Sequence, residues 1–286
     1  MRTERPRLSV MQGRLVPPET SSIQQFPRAR WRDEFPLAAA ASLAGIEWIY
    51  DAHGADINPL STDEGILEMR TLADRHGLHV GSVCADYLID SPCLRVNAAL
   101  RGERIGRLLW LIERCRLANV QRVVLPFVDA ARIETDDDHA NVVELVEVLR
   151  PACLSGNISL HLETSLDPSA FSRLLAQLPD DLVFVTYDSG NSAAQGYDVE
   201  AELMAYGERI GSVHVKDRMV GGGTVPLGQG NANLGALFEG LARLAYGGDF
   251  VMQVARGVAG QELDWVRSNR EIVLGYIERA SAMSGH

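Results

Sequence analysis

Four polar side chains stand at or near the ends of apolar segments in the second half of the chain. The segments ISLHLET, VFVTYDSGN, SVHVKDR and FVMQVAR carry, in that order, Glu163, Asp188, His214 and Gln253. The four residues are separated by 25, 26 and 39 positions, which is about one strand and one helix each time. Two carboxylates, an imidazole and an amide oxygen are ligands that suit a divalent cation. The pattern predicts a site for one divalent metal ion, such as manganese, cobalt, magnesium or zinc.

Each of these residues also has a purely structural interpretation. Glu163 can cap the following turn, and Asp188 in DSGN can form an Asx-turn. His214 can be a hydrogen-bonded residue of a strand, and Gln253 by itself is a weak signal. Their common placement after apolar segments is what favours a shared metal site.

The elements that must position these side chains alternate regularly. Apolar segments predict strands at residues 8–12, 46–50, 80–84, 122–127, 158–163, 183–187, 212–215 and 250–254. Segments between them, such as DEGILEMRTLADRHG and NVVELVEVLRPACL, repeat apolar residues at spacings of three and four, as one face of a helix does. Eight such units close a parallel barrel, so we predict an α/β protein with a single (β/α)8 TIM barrel domain over residues 1–286. An open doubly wound sheet would favour a glycine-rich phosphate loop after the first strand, where the chain has MQGRLVPPE.

The composition is that of an ordinary globular protein, with 286 residues, 46% hydrophobic and 23% charged. A formal net charge of -11 argues against a nucleic-acid partner, because phosphate binding needs a basic face. The four cysteines form no CxxC pair and are expected to be reduced thiols. The first residues lack the apolar stretch of a signal peptide, and the longest apolar region, 35–50, is too short to cross a bilayer. We expect a cytoplasmic protein with no membrane partner.

Further polar residues follow the predicted strands and would face the same mouth of a barrel. Lys216 lies two residues after His214 on the same strand face, and Arg14, Arg218 and Arg256 could complete a cationic rim for a substrate phosphate or carboxylate. Pairing of these cations with neighbouring acids is the alternative. His53 and Asp86 are candidates for a base or for hydrogen bonds to substrate. We therefore predict Arg14, His53, Asp86, Lys216 and Arg256 as substrate-binding residues.

These motifs resemble those of the xylose isomerase-like TIM barrels, a superfamily of sugar isomerases, ketose 3-epimerases, inosose dehydratases and apurinic-site endonucleases (apurinic endonuclease family 2). The resemblance depends on LHLET, YDSGN, HVKDR, PLGQGNANLGALFEGL and GGDFVMQVAR, and HVKD followed by PLGQGN is its most specific part. In the family's sugar epimerases the metal ligands are Glu, Asp, His and Glu on strands five to eight. The resemblance implies that Glu163, Asp188, His214 and Gln253 occupy these positions here.

Gln253 departs from the family pattern. An amide oxygen can bind a metal, but an amide cannot accept a proton as a carboxylate does. In the similar epimerases two glutamates on opposite sides of the substrate carbon share the proton transfers, and in this chain Glu163 alone retains that chemistry. Either a second base comes from elsewhere, or the reaction needs only one.

The resemblance implies a metal-dependent sugar or sugar-phosphate isomerase or epimerase. Glu163 would abstract a proton next to a carbonyl, and an enediolate would form. An inosose-type dehydratase is one alternative, because the same carbanion can expel a β-hydroxyl. A non-catalytic barrel that binds a sugar or a metal is another, because Gln253 replaces the second catalytic Glu. The resemblance further implies a small polyol or sugar substrate, phosphorylated or not, and a homodimer or homotetramer.

Overall fold

Eight parallel strands form a closed barrel in the computed structural model, which describes residues 7–284. Each strand pairs with the next along the chain, and the last pairs with the first. Along the chain the strands are β1 Leu8–Met11, β2 Gly45–Ile49, β3 His79–Cys84, β4 Arg122–Phe127, β5 Ser159–Thr164, β6 Val183–Asp188, β7 Ile210–Val215 and β8 Asp249–Met252. The predicted (β/α)8 barrel is confirmed; the fourth predicted strand matches the observed one, and the others differ by one or two residues at one or both ends.

Within the described residues, ten α-helices lie in the connections between the strands or after the last one. They are α1 Glu34–Ala40, α2 Asp63–His76, α3 Tyr87–Asp90, α4 Ala98–Ala118, α5 Asp136–Gly156, α6 Pro168–Leu175, α7 Ser189–Gln195, α8 Val199–Tyr206, α9 Leu234–Arg243 and α10 Glu262–Ser284. Local chemistry explains their ends. Thr135 and Asp138 form a capping box at the start of α5, and Gly77 ends α2 in the left-handed conformation that glycine adopts without strain.

The strands are buried along almost their whole length, because helices cover the outside of the barrel and side chains fill the inside. An aromatic cluster of Phe26, Trp31, Phe35 and Trp48 packs α1 and its preceding loop against β2, with ring centroids 5.7–6.3 Å apart. The four cysteines all lie within the described residues, and all are free and buried. Among the helices that the structure describes, none is both long and apolar enough to cross a membrane.

A short hairpin extends from the carboxyl end of β7. Its two strands, Asp217–Arg218 and Thr224–Val225, pair antiparallel around the glycines of the MVGGG segment. The buried Asp217 carboxylate accepts hydrogen bonds from the backbone N–H groups of Gly228, Gly230 and Ala232, at 2.8–2.9 Å. One side chain thus ties the PLGQGN loop to the end of β7.

Candidate active site

A cavity of about 550 Å³ opens at the carboxyl ends of the strands, where (β/α)8 barrels carry their sites. This volume is suited to a small ligand. Six of the predicted site residues line it: Arg14, His53, Asp86, Glu163, Lys216 and Gln253. Asp188 and His214 lie next to it through their contacts with Glu163 and Lys216.

Asp188 is positioned by the junction of β6 and α7. As the residue before α7, it accepts hydrogen bonds through Oδ1 from the backbone N–H groups of Gly190 (2.9 Å) and Asn191 (2.8 Å). This N-cap is the Asx-type arrangement that DSGN predicts. Asp188 pairs in register with His214 on β7, and Asp188 Oδ2 lies 3.9 Å from His214 Nδ1. Oδ1 of Asp188 therefore caps α7, whereas Oδ2 faces His214 and the predicted metal site.

His214 is fully buried, and both of its ring nitrogens face carboxylates. Nε2 is hydrogen-bonded to Glu47 Oε1 at 2.6 Å, and Nδ1 lies 3.4 Å from Glu163 Oε2. Burial lowers the pKa of His214, but Glu47 and Glu163 raise it by more, so that the pKa is raised to about 10. Because Nε2 is hydrogen-bonded to Glu47, Nδ1 is the ring nitrogen that remains to bind a ligand in the site.

Glu163 ends the apolar part of β5 and is also buried, with 4% of its surface exposed. Asn191 Nδ2 donates to Glu163 Oε1 at 2.5 Å, which leaves Oε2 facing His214. Burial raises the pKa of Glu163, and the charge of Asp188 raises it further, against the opposing effect of His214 and Lys216. A carboxylate that gains affinity for a proton in this way is suited to act as a general base.

The three residues fit a divalent cation. One ligand atom from each of Glu163, Asp188 and His214 lies within 4.8 Å of the other two, as ligands around a single ion would. His214 Nδ1 is buried without a hydrogen-bond partner and faces two carboxylates, an arrangement that a proton or a cation would stabilise.

Gln253, the fourth predicted ligand, reaches this group through Lys216. Lys216 Nζ donates to Asp188 Oδ2 and to Gln253 Oε1, at 3.0 Å in each case, and lies 3.3 Å from Asn191 Oδ1. Burial raises the pKa of Asp188, but Lys216 and His214 lower it by more, which keeps the carboxylate ionised. The amide oxygen of Gln253 therefore points towards the carboxylates, with the ammonium group of Lys216 between them.

The other predicted substrate-binding residues have different surroundings. Asp86 is buried at the cavity wall, whereas His53 is partly exposed, with its Nε2 3.9 Å from Glu19 Oε2. Arg14 lines the cavity, but its guanidinium donates to the carbonyls of Val254 and Ile23 and to Gln24.

Arg256 is not brought to the cavity lining. It donates to the carbonyls of Ile23 and Val16 and so holds the loop between β1 and α1.

For three residues of the site the sequence predicts no specific role. Asn191 lies within the DSGN motif, and its side chain holds Glu163. Glu47 follows an apolar run in the sequence, but its contact is with β7 across the barrel interior. Gln24 lies in the β1–α1 loop and donates to Asp86 at 2.7 Å. The DSGN motif was a usable signal for Asn191, whereas no local pattern predicts the partners of Glu47 or Gln24.

The model of the xylose isomerase-like TIM barrel family matches residues 35–269 of the chain. The chain belongs to this family, which confirms the resemblance described above. No curated protein sequence matches the chain.

Solved structures share the fold at low sequence identity. The "IOLI protein with a binding zinc atom" matches with a TM-score of 0.75 and 15% identity, over 96% of this chain and 99% of that one. D-psicose 3-epimerase from Clostridium cellulolyticum H10, solved with D-tagatose, has a TM-score of 0.72 and 14% identity over 96% and 99%. A xylose isomerase-like TIM barrel protein from Mycobacterium smegmatis in complex with magnesium has a TM-score of 0.69 and 18% identity over 96% and 97%. At these identities the comparisons establish the fold.

Proposed function

We propose that the protein is a metal-dependent sugar isomerase or epimerase that works by proton transfer next to a carbonyl. The observation that carries this proposal is the convergence of Glu163, Asp188 and His214 at the wall of a cavity of about 550 Å³. Structures of similar fold include a ketose epimerase and proteins with bound zinc or magnesium, which supports the choice of chemistry.

Glu163, Asp188 and His214 would hold the cation, with the amide oxygen of Gln253 as the proposed fourth ligand. A divalent ion held there would withdraw electron density from the substrate carbonyl and lower the barrier to removing a proton from the adjacent carbon. The native ion is proposed to be manganese, with cobalt, magnesium or zinc as alternatives.

The side chains of the chain itself carry out the proton transfer. Glu163 removes the carbon-bound proton, because its carboxylate lies at the wall of the cavity. Asn191 holds Glu163 Oε1 by a hydrogen bond and so fixes the direction from which the carboxylate approaches. Lys216 and Arg218 line the same cavity as Glu163, where they would contact a hydroxyl, carboxylate or phosphate of the substrate.

The proposal is tested by following hydrogen exchange from substrate to solvent. Manganese-loaded protein is incubated with D-psicose or D-tagatose in D2O, and deuterium at the carbons flanking the carbonyl is measured by NMR. Glu163→Gln should lower the exchange rate by about 100- to 10,000-fold without unfolding the protein. The exposed Glu64→Gln substitution on α2 serves as the matched control.

Two results would contradict the proposal. Near-normal exchange by Glu163→Gln would exclude Glu163 as the base. Tight sugar binding by the wild-type protein without any exchange would instead favour a non-catalytic barrel.

A further inference from the structure

A directed series of hydrogen bonds crosses the cavity from Lys216 to Asp86. Lys216 Nζ can only donate, and it binds Gln253 Oε1, so the amide nitrogen of Gln253 faces Gln24 and donates to its Oε1 at 2.7 Å. Arg14 also donates to Gln24 Oε1, at 3.3 Å. Gln24 Nε2 therefore points to Asp86 and donates to its Oδ2 at 2.7 Å. The series begins at a cation and ends at a carboxylate.

Because each hydrogen bond in the series has a fixed donor and acceptor, the residue types at positions 253 and 86 depend on each other. A carboxylate at position 253 would need a donor where Gln24 now presents its oxygen. Rotation of the Gln24 amide would provide that donor, but it would set the Gln24 oxygen against Asp86. The series accommodates one carboxylate, and in this chain the carboxylate is Asp86.

Asp86 is exposed to the same cavity as Glu163, although only 8% of its surface is accessible. Asp86 follows β3 and Glu163 lies on β5, with β4 between them, so the two carboxyl groups reach the cavity from different parts of its wall. Burial raises the pKa of Asp86 to about 6, with hydrogen bonds from Cys84 and Gln24 opposing and the charges of Glu163 and Asp51 assisting. A carboxyl group of this kind is present in both protonation states near neutral pH, as an acid–base residue requires.

We infer that Asp86 is the second acid–base residue, in place of the glutamate absent at position 253, and that the reaction is an epimerisation. The inference depends on the proposed function. Glu163 removes the proton from the substrate carbon, and the electron pair of the broken C–H bond forms the enediolate with the neighbouring carbonyl. Asp86 gives its proton to the same carbon from the second direction, and the carbonyl is restored as the new C–H bond forms. Glu163 is left protonated and Asp86 ionised, and both exchange protons with solvent before the next turnover.

The first test separates exchange from inversion at the reacting carbon. Manganese-loaded protein acts on D-psicose or D-tagatose in D2O, and epimer formation and deuterium content are measured together by NMR. Asp86→Asn should lose about 100-fold or more in epimer formation while Glu163 still exchanges the carbon-bound hydrogen. The matched control is Asp74→Asn, an exposed aspartate on α2, the helix that precedes β3. Inversion by Asp86→Asn at the wild-type rate would overturn the inference.

A double variant tests whether a carboxylate at position 253 can take over the role of the carboxylate at position 86. Asp86→Asn/Gln253→Glu restores one carboxylate at the other end of the hydrogen-bond series and should invert faster than Asp86→Asn alone. If the double variant forms epimer no faster than Asp86→Asn, a carboxylate at position 253 does not replace Asp86, and the inference is overturned.

The wild-type protein provides a readout that does not depend on the folding of a variant. If two residues share the proton transfer, the earliest product molecules carry deuterium from the solvent, while the unreacted substrate still carries its own hydrogen. Return of the substrate's own hydrogen to the product would overturn the inference, as would aldose–ketose conversion without inversion. If the wild-type protein exchanges no hydrogen at all, the proposed function itself fails, which distinguishes that failure from the failure of Asp86.

Discussion

At the scale of single residues, the site depends on how His214 is held. Its Nε2 contacts Glu47 at 2.6 Å inside the barrel, and both side chains are fully buried. A carboxylate on the distal nitrogen of a metal-binding histidine fixes the ring and makes the other nitrogen a stronger ligand. Glu47 thus orients Nδ1 towards Glu163 and Asp188 without being one of the proposed metal ligands.

Glu47→Gln should therefore weaken metal binding. The amide keeps the size of the side chain but removes the charge, and we expect an affinity for Mn²⁺ or Zn²⁺ lower by about 10- to 100-fold. Isothermal titration calorimetry on the purified protein measures the effect, with Glu64→Gln as the exposed control. Unchanged affinity would show that Glu47 only fills the barrel interior.

At the scale of elements, the mouth is shaped by the loops that follow the strands. The hairpin after β7 contributes Gly223 and Thr224 to the cavity wall, and the β1–α1 loop contributes Gln24. Asp217 holds the first of these loops through three backbone N–H groups, and Gly230 must lack a side chain because a Cβ there would clash with Asp217 Oδ1. The HVKD and PLGQGN motifs are thus two halves of one interaction.

Asp217→Ala should release this loop. Three partly buried N–H groups lose their acceptor, at a cost of at least about 2 kcal/mol in the free energy of unfolding. Urea denaturation measures the cost, and hydrogen exchange by mass spectrometry should show lost protection over residues 226–233. Asp217→Asn keeps one acceptor oxygen and should have the smaller effect. Wild-type protection in Asp217→Ala would contradict this account of the loop.

At the scale of the whole molecule, a group of paired charged side chains fills the end of the barrel opposite the cavity. Asp249 begins β8 and forms an ion pair with Arg122, which begins β4 on the opposite side of the barrel. Arg7 Nε lies 2.8 Å from Asp249 Oδ1, and His79 Nε2 lies 3.7 Å from Oδ2. Burial raises the pKa of Asp249, but His79 and Arg122 lower it by more, so that the pKa lies well below its ordinary value.

Asp249→Asn should destabilise the protein by about 3 kcal/mol at neutral pH, because Arg122 would be left without its buried partner. Since the folded pKa of Asp249 is depressed, its contribution is complete above about pH 4, the unfolded value, and is lost as the pH falls through the lower folded value. Urea denaturation at pH 7 and pH 3 should show a smaller difference between wild type and variant at pH 3. A difference that grows in acid would contradict this assignment.

Much of the fold follows from local patterns. Eight apolar segments at regular intervals predict the barrel, because side chains of strands buried on both faces must be apolar and helices of period 3.6 must cover them. Strand ends were misplaced by one or two residues, since hydrogen bonds to neighbouring strands decide where a strand stops. The placement of Glu163, Asp188 and His214 at one mouth also follows, because parallel strands end on the same side.

The sequence by itself determined the order of strands and helices and the polar residues at the strand ends. Only the tertiary structure decided which of those residues meet, because contacts between distant strands depend on how the barrel closes. Closure sets Glu47 against His214, links Gln24 to Asp86 and turns Arg256 to backbone carbonyls of the β1–α1 loop. Alternation along a strand indicates which side chains point inward, but it carries no information about their partners across the barrel.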